Sequence, residues 1–252
     1  MSTHKPLSLD GKTALVTGSA RRIGAEIVRC LHSAGACVAV HYRGSAADAN
    51  ELVDTLNALR SDSARAFQAD LSDAGACEQL VAAVVAWRAR LDVVVNNASS
   101  FFPTPLGEIS ESQWQDLAGS NLKAPLFLSQ AAWPHLKSSR GNIVNIVDVH
   151  AHRPLRHYAP YVSAKAGLEM LTKSLAKEMA PEVRVTGVAP GAILWPEDEM
   201  SDATKANILG QIPLGRSGEA ADIANCVLFL ILEGTYMTGC VIPVDGGRSA
   251  GW

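Results

Sequence analysis

The sequence predicts an α/β fold: one doubly wound domain built on a parallel, seven-stranded sheet. Three observations carry that expectation. Short β-branched runs alternate with longer helical patterns along all 252 residues. The strand-like runs are unbroken apolar stretches rather than alternating ones, as in a parallel sheet covered on both faces. No internal repeat, low-complexity tract or linker interrupts the alternation, and the length suits a single α/β domain.

The elements follow in order. Residues 13–17 read as the first strand, followed by a helix over 23–34 that Gly35 stops. A strand over 37–42 and a helix over 46–59 come next, then a strand over 64–69 and a helix over 74–87. Residues 81–95 are rich in Val and Ala, but Trp87, Arg88, Arg90 and Asp92 interrupt the run. It therefore reads as a helix end followed by a fourth strand over 93–96, not as a membrane span. Residues 112–136 carry one long helical pattern, with a bend expected near Pro125. The fifth strand covers 142–147, a long helix 159–179, the sixth strand 183–189, a helix 220–232 and the last strand 241–244.

Composition excludes several classes of function. The net charge of −3 lacks the basic excess that a nucleic-acid partner requires. The seven His show no metal-ligand spacing, so no metal site is expected. Cys30, Cys37, Cys77, Cys226 and Cys240 are odd in number, contain no CxxC pair, and read as reduced thiols of a cytoplasmic protein. Residues 1–10 are polar and lack the apolar stretch of a signal peptide, and no run is long enough to span a membrane. Hydrophobic residues make up 48% and charged residues only 19%, which leaves room for buried subunit contacts.

In such a sheet, ligands bind at the carboxyl ends of the strands. The first strand runs into Thr17, Gly18, Ser19, Ala20, Arg21, Arg22, Ile23 and Gly24. Glycines there let the backbone approach a pyrophosphate, and the following helix offers N–H donors and a positive dipole end. Arg22 stands where such loops often carry another glycine, and it is expected to point to the phosphates or the adjoining substrate space. Sites for NAD place an acid after the second strand, about 20 residues beyond the glycines. Here that segment is His41, Tyr42, Arg43, Gly44 and Ser45, with no acid before Asp48. Arg43 and Ser45, with Arg21 or Arg22 nearby, suit a 2′-phosphate, so NADP(H) is the expected cofactor.

Further motifs bring a resemblance into view. Asp70 and Leu71 follow the third strand; Asn96, Asn97 and Ala98 follow the fourth; Asn121 lies in the long helical pattern; Tyr161 and Lys165 enclose Val, Ser and Ala; Pro190 and Gly191 close the sixth strand. In this order and spacing the chain resembles the short-chain dehydrogenase/reductase family over nearly its full length. The resemblance implies a Rossmann-type fold with Tyr161 and Lys165 at the chemical centre. It also implies that Asp70 and Leu71 border the adenine, that Asn97 and Ala98 line the cofactor, and that Pro190 and Gly191 run beside the nicotinamide. Asn121 would hold a water in the proton path, and Lys165 would also hold the nicotinamide ribose. The family usually forms homotetramers through the segments equivalent to 112–136, 159–179 and 241–252, where terminal Trp252 would find burial.

A narrower resemblance, to bacterial pteridine reductases, rests on Arg21 to Gly24, His41 to Ala46, Asn96 to Leu106, and Ala189 to Pro196. It implies NADPH-dependent reduction of pterins and in some cases folates.

Tyr161 and Lys165 are four apart, so a helix puts them on one face. A nearby ammonium is expected to move the Tyr161 hydroxyl below its ordinary pKa of about 10. Tyr158 has Val rather than Lys four positions on. Most family members carry Ser thirteen residues before the Tyr; here that position is Asp148. A carboxyl group accepts from Tyr161 or from the amino groups of a heterocycle, and donates when protonated. Simple capping of the next segment is the competing role for Asp148. By the family pattern, Phe101 would cover one face of a flat pterin while Phe102 packs, Ser99 would bond the ring edge, and Arg22 would reach its oxygen. A polar stretch beyond Pro190, through Trp195 to Asp202, reads as part of a substrate lid around residues 192–210. Two alternatives stay open: a carbonyl reductase acting on a substrate such as a 3-oxoacyl thioester, and a protein that senses NADP(H) without chemistry.

Overall fold

A computed structural model describes residues 8–193 and 201–250. Seven parallel strands lie in the order β3-β2-β1-β4-β5-β6-β7. They are β1 (Thr13–Val16), β2 (Cys37–Tyr42), β3 (Ala64–Gln68), β4 (Val93–Asn96), β5 (Asn142–Ile146), β6 (Arg184–Pro190) and β7 (Val241–Val244). Helices α1 (Arg22–Ser33), α2 (Ala46–Leu59), α3 (Ala74–Arg88), α4 (Glu111–Ala118) and α5 (Ala124–Ser139) alternate with the first five strands. Helices α6 (Ala159–Met179), α7 (Asp202–Leu209) and α8 (Ala220–Leu232) complete the chain.

The chain builds outward from β1 to β3, then returns to lay β4 on the other side of β1. That reversal opens a crevice above the carboxyl ends of β1 and β4, the position where such sheets take ligands. Both sheet faces are covered by separate apolar layers. Ile27, Leu31, Leu56 and Ile223 pack on one face, from α1, α2 and α8. Leu80, Leu128, Leu136 and Met179 pack on the other, from α3, α5 and α6. Truncating a fully buried leucine such as Leu31 or Leu136 to alanine would cost about 2–5 kcal/mol. Among the described residues, no helix is long and apolar enough to cross a membrane.

One predicted element is divided. The long helical pattern becomes α4, a π-helical turn over Gly119–Lys123, and α5. Ser110 and Gln113 form a reciprocal capping box that starts α4. Pro125 lacks an N–H and occupies the first turn of α5, where none is needed. The widened turn before it carries Asn121. Helix α7 lies within the stretch read as a lid, while Trp195 and Pro196 lie outside the described residues, as does Trp252.

Candidate active site

A cleft of about 1020 Å³ runs over the carboxyl ends of the strands. Its lining begins at Arg21, Arg43 and Ser45, passes Asp70, Asn97 and Ala98, and ends among Asp148, Tyr161 and Lys165. Small-molecule pockets usually span about 300–1,000 Å³. This cleft therefore suits an extended dinucleotide with a small second molecule at one end.

The turn after β1 is fastened to the turn after β4. Asn97 Nδ2 donates to Thr17 O at 2.8 Å and to Gly18 O at 3.0 Å. Thr17 Oγ1 accepts from the N–H groups of Asn97 and Ala98 at 2.9 and 3.0 Å. Gly18 has φ +58°, and a Cβ on it would lie 2.7 Å from Ala98 Cα. A Cβ on Gly24 would meet Asn97 Nδ2 and Gly18 O, both at 2.5 Å. Only glycine fits at either place. Arg22 has φ +54°, so an arginine occupies the left-handed position where glycine is usual, and its side chain lines the cleft. Ile23 lines the cleft as well.

His41 is a further holder of this loop that sequence reasoning passed over. It is buried at the end of β2; its Nδ1 accepts from the Gly18 N–H at 3.0 Å, and its Nε2 lies 3.2 Å from Ala69 O. This pairing requires a neutral ring with its hydrogen on Nε2. Burial lowers its pKa to about 4, against a smaller upward pull from Ala69 O and Asp70. The only available sign was a histidine inside an apolar strand.

At the far end, Arg21 Nη2 donates to Ser45 Oγ at 3.0 Å and Arg21 Nε lies 3.8 Å from Asp48. Arg43 reaches across the cleft to Asp116 Oδ1 on α4 at 3.4 Å, and Ser100 Oγ donates to the same oxygen at 3.1 Å. Asp116 was absent from the predicted site. Tyr42 and Leu71 line the same end. Asp70 sits nearby with its carboxyl held below the usual range, chiefly by the Ser72 N–H at 3.0 Å. Arg21, Ser45 and Arg43 thus all line this end of the cleft, a donor set that fits a phosphate. The residues present therefore fit a phosphorylated dinucleotide.

At the chemical end, α6 places Tyr161 and Lys165 on one face, as their spacing predicts. Tyr161 Oη donates to Asp148 Oδ2 at 2.6 Å. Asp148 Oδ1 accepts from the His150 N–H at 2.8 Å, so the carboxylate caps the short turn after β5 and also meets the tyrosine. The expected downward shift of Tyr161 is corrected. Burial first, then the charge of Asp148 and its acceptance of the hydroxyl hydrogen, hold Tyr161 well above its ordinary value; the Ser99 hydroxyl acts in the opposite direction. Lys165 Nζ instead donates to Ile146 O at 2.8 Å and lies 5.7 Å from the tyrosine ring centre. Burial lowers Lys165 to about 8, with Asp148 acting upward.

Asn121 lies behind Ser99 rather than on the cleft wall. Its Oδ1 accepts from Ser99 Oγ at 2.7 Å, and its Nδ2 donates to Ser100 O and Leu117 O at 2.9 and 3.0 Å. Phe101 is 51% exposed at the cleft, its ring stacked on Tyr158 at 4.6 Å and set edge-on to Tyr161 at 4.8 Å. Phe102 is partly buried and absent from the lining, whereas Tyr158, which the Lys spacing set aside, belongs to the aromatic wall. Pro190 and Gly191 line the opposite side. Ile193 and Ile208, on either side of the undescribed residues 194–200, both face the cleft, as does Arg248 near the end of the chain.

A family model described as enoyl-(acyl carrier protein) reductase matches residues 18–249. Pteridine reductase 1 of Leishmania tarentolae is 39% identical, covering 94% of this chain and 96% of its own. A 3-oxoacyl-[acyl-carrier-protein] reductase of Staphylococcus aureus is 40% identical, covering 94% and 97%. An uncharacterized oxidoreductase of Methylorubrum extorquens is 36% identical, covering 95% and 98%.

Proposed function

Since the chain belongs to the short-chain dehydrogenase/reductase family, we propose that it is an NADPH-dependent pteridine reductase acting on a C=N bond of a dihydropterin. The observation that carries this reading is the 2.6 Å hydrogen bond from Tyr161 to Asp148. A carboxyl group at that place suits a heterocycle with N–H groups better than a simple ketone, which offers only an acceptor oxygen.

In this reading Arg21, Arg43 and Ser45 hold the 2′-phosphate, and Gly18, Arg22, Ile23 and Gly24 present the start of α1 to the pyrophosphate. Tyr42, Asp70 and Leu71 border the adenosine, Asn97 and Ala98 line the middle, and Lys165, Pro190 and Gly191 hold the nicotinamide riboside. NADPH supplies the hydride when bound. The protein supplies orientation and the proton. Phe101, backed by Tyr158, stacks on the flat substrate, while Ser99 and Arg22 bond its edge. Tyr161 remains protonated at neutral pH because burial and Asp148 hold its pKa up. It gives that proton from Oη to the ring nitrogen. A phenolate beside a carboxylate is strongly disfavoured, so Asp148, half-buried at the cleft, takes a proton from solvent and returns one to Tyr161. Ile193 and Ile208 line the cleft where the expected lid begins and where α7 lies, and a homotetramer forms through α5 and α6, where Leu126, Trp133 and Met170 are exposed.

A second reading is a 3-oxoacyl thioester reductase, favoured by the 40% identical relative of that name. NADPH oxidation with dihydrobiopterin, dihydromonapterin, dihydrofolate and a 3-oxoacyl thioester, tested side by side, separates the two. Preference for a pterin is expected. Preference for the thioester favours the second reading, and tight NADPH binding without any turnover favours a sensor.

A further inference from the structure

One wall of the substrate end comes from the last residues described. After β7 the chain winds around Asp245, whose Oδ1 accepts from the Gly247 N–H at 2.9 Å and whose Oδ2 accepts from the Ser249 N–H at 2.7 Å. Gly246 and Gly247 have φ +65° and +86°, so the chain reverses direction there. The reversal delivers Arg248 to the cleft. Arg153, in the segment after Asp148 and its short turn, donates Nη1 to the Arg248 carbonyl at 2.9 Å. The position of Arg248 is therefore set through its backbone from both sides.

The Arg248 side chain is not matched to its surroundings in the same way. Its Nε is buried and has no acceptor among the described residues. Buried polar groups are nearly always paired, and an exception needs a reason. Burial and the Arg153 charge both disfavour the Arg248 cation, while Asp148 and Asp245 favour it. A partly buried guanidinium whose Nε has no acceptor among the described residues, near a second guanidinium and on a residue that lines the cleft, is matched by a two-oxygen anion.

We propose that Arg248, held by Arg153, is a subsite for an anionic oxygen group, a carboxylate or a phosphate, carried on the substrate close to the ring that Tyr161 and Asp148 protonate. This rests on the pterin reading and adds the charge class of the substrate: a pterin with an acidic substituent rather than a neutral side chain. The guanidinium fork takes two oxygens at once, which a hydroxyl or methyl substituent does not offer.

Pterins fluoresce, so binding to the NADP⁺-loaded enzyme is readable by titration. Pterin-6-carboxylate, 6-hydroxymethylpterin phosphate and 6-methylpterin would be compared at low salt. The wild type is expected to bind at least one anionic pterin about 10–100-fold tighter than 6-methylpterin, the effect of a charge-assisted hydrogen bond, and the two anions separate a carboxylate from a phosphate source. Arg248→Met should bring that ratio close to one, and Arg248→Lys should keep part of it, since the Arg153 bond to the backbone carbonyl survives both changes. Equal affinity for charged and neutral pterins in the wild type would overturn the proposal, as would an advantage that persists in Arg248→Met. Absence of binding by all three pterins would overturn the pterin reading itself, and the subsite with it.

Discussion

Tyr161 gives its hydroxyl hydrogen to Asp148 at 2.6 Å, joining the first turn of α6 to the loop after β5. The other oxygen of Asp148 is tied to the His150 N–H at 2.8 Å, so the carboxylate is oriented before any ligand arrives. The tyrosine keeps its proton, because burial and the neighbouring carboxylate hold its pKa well above the ordinary value. Lys165 stands apart from this pair, its Nζ donating to Ile146 O at 2.8 Å.

The charge of Lys165 has a pH limit. Burial lowers Lys165 to about 8. Below that value it is an ammonium; above it, a neutral amine. Tyr161 lies well above its ordinary value and does not titrate in this range. The profile of kcat/KM, which reports the free enzyme, should fall as pH rises through about 8. A profile that stays flat to about pH 10 would contradict a required ammonium.

In the proposed reading, Arg43 is one of the groups that select NADPH over NADH. Replacing Arg43 by alanine removes one charge-assisted partner for a 2′-phosphate and should weaken NADPH binding roughly 10–100-fold. The dissociation constant for NADH should change little. Calorimetric titration of both cofactors checks this, and equal losses would contradict the assignment.

His41 links the cofactor loop to stability. Its pKa is about 4 folded and about 6.5 unfolded. Between these values the unfolded chain binds a proton that the folded protein refuses, so stability rises with pH. The contribution is fully present above about pH 6.5 and is lost as pH falls to about 4, a change of about 3 kcal/mol in all. Urea unfolding at pH values across this window should show a steeper acid decline for the wild type than for His41→Gln. Identical slopes would contradict the buried neutral histidine.

The strands were legible because each central strand of a parallel sheet must be apolar on both faces, as Val93, Val94 and Val95 are. The split between α4 and α5 was only half legible: Pro125 announces a bend, but nothing local announces that the chain widens through Gly119–Lys123. Tyr161 and Lys165 share a face because one helix fixes their separation, whereas Asp148 was legible only through the family resemblance, which marks the position thirteen residues before the tyrosine. Asp116 and Arg248 were not legible in the sequence. Asp116 meets Arg43 across 73 residues and Arg153 meets Arg248 across 95, relationships that only the assembled sheet creates. Tyr158 was set aside for want of a lysine, yet it contributes through its ring, stacked on Phe101, rather than through its hydroxyl.

The most direct test of the account replaces Asp148 by serine and measures kcat/KM for dihydrobiopterin and for a 3-oxoacyl thioester, with NADPH affinity as a control for folding. Removing the group that returns the proton to Tyr161 should reduce pterin reduction roughly 10²–10⁴-fold, the usual worth of a positioned acid or base. NADPH affinity should be unchanged and thioester reduction should not fall in parallel. Full pterin reduction by Asp148→Ser would contradict the account.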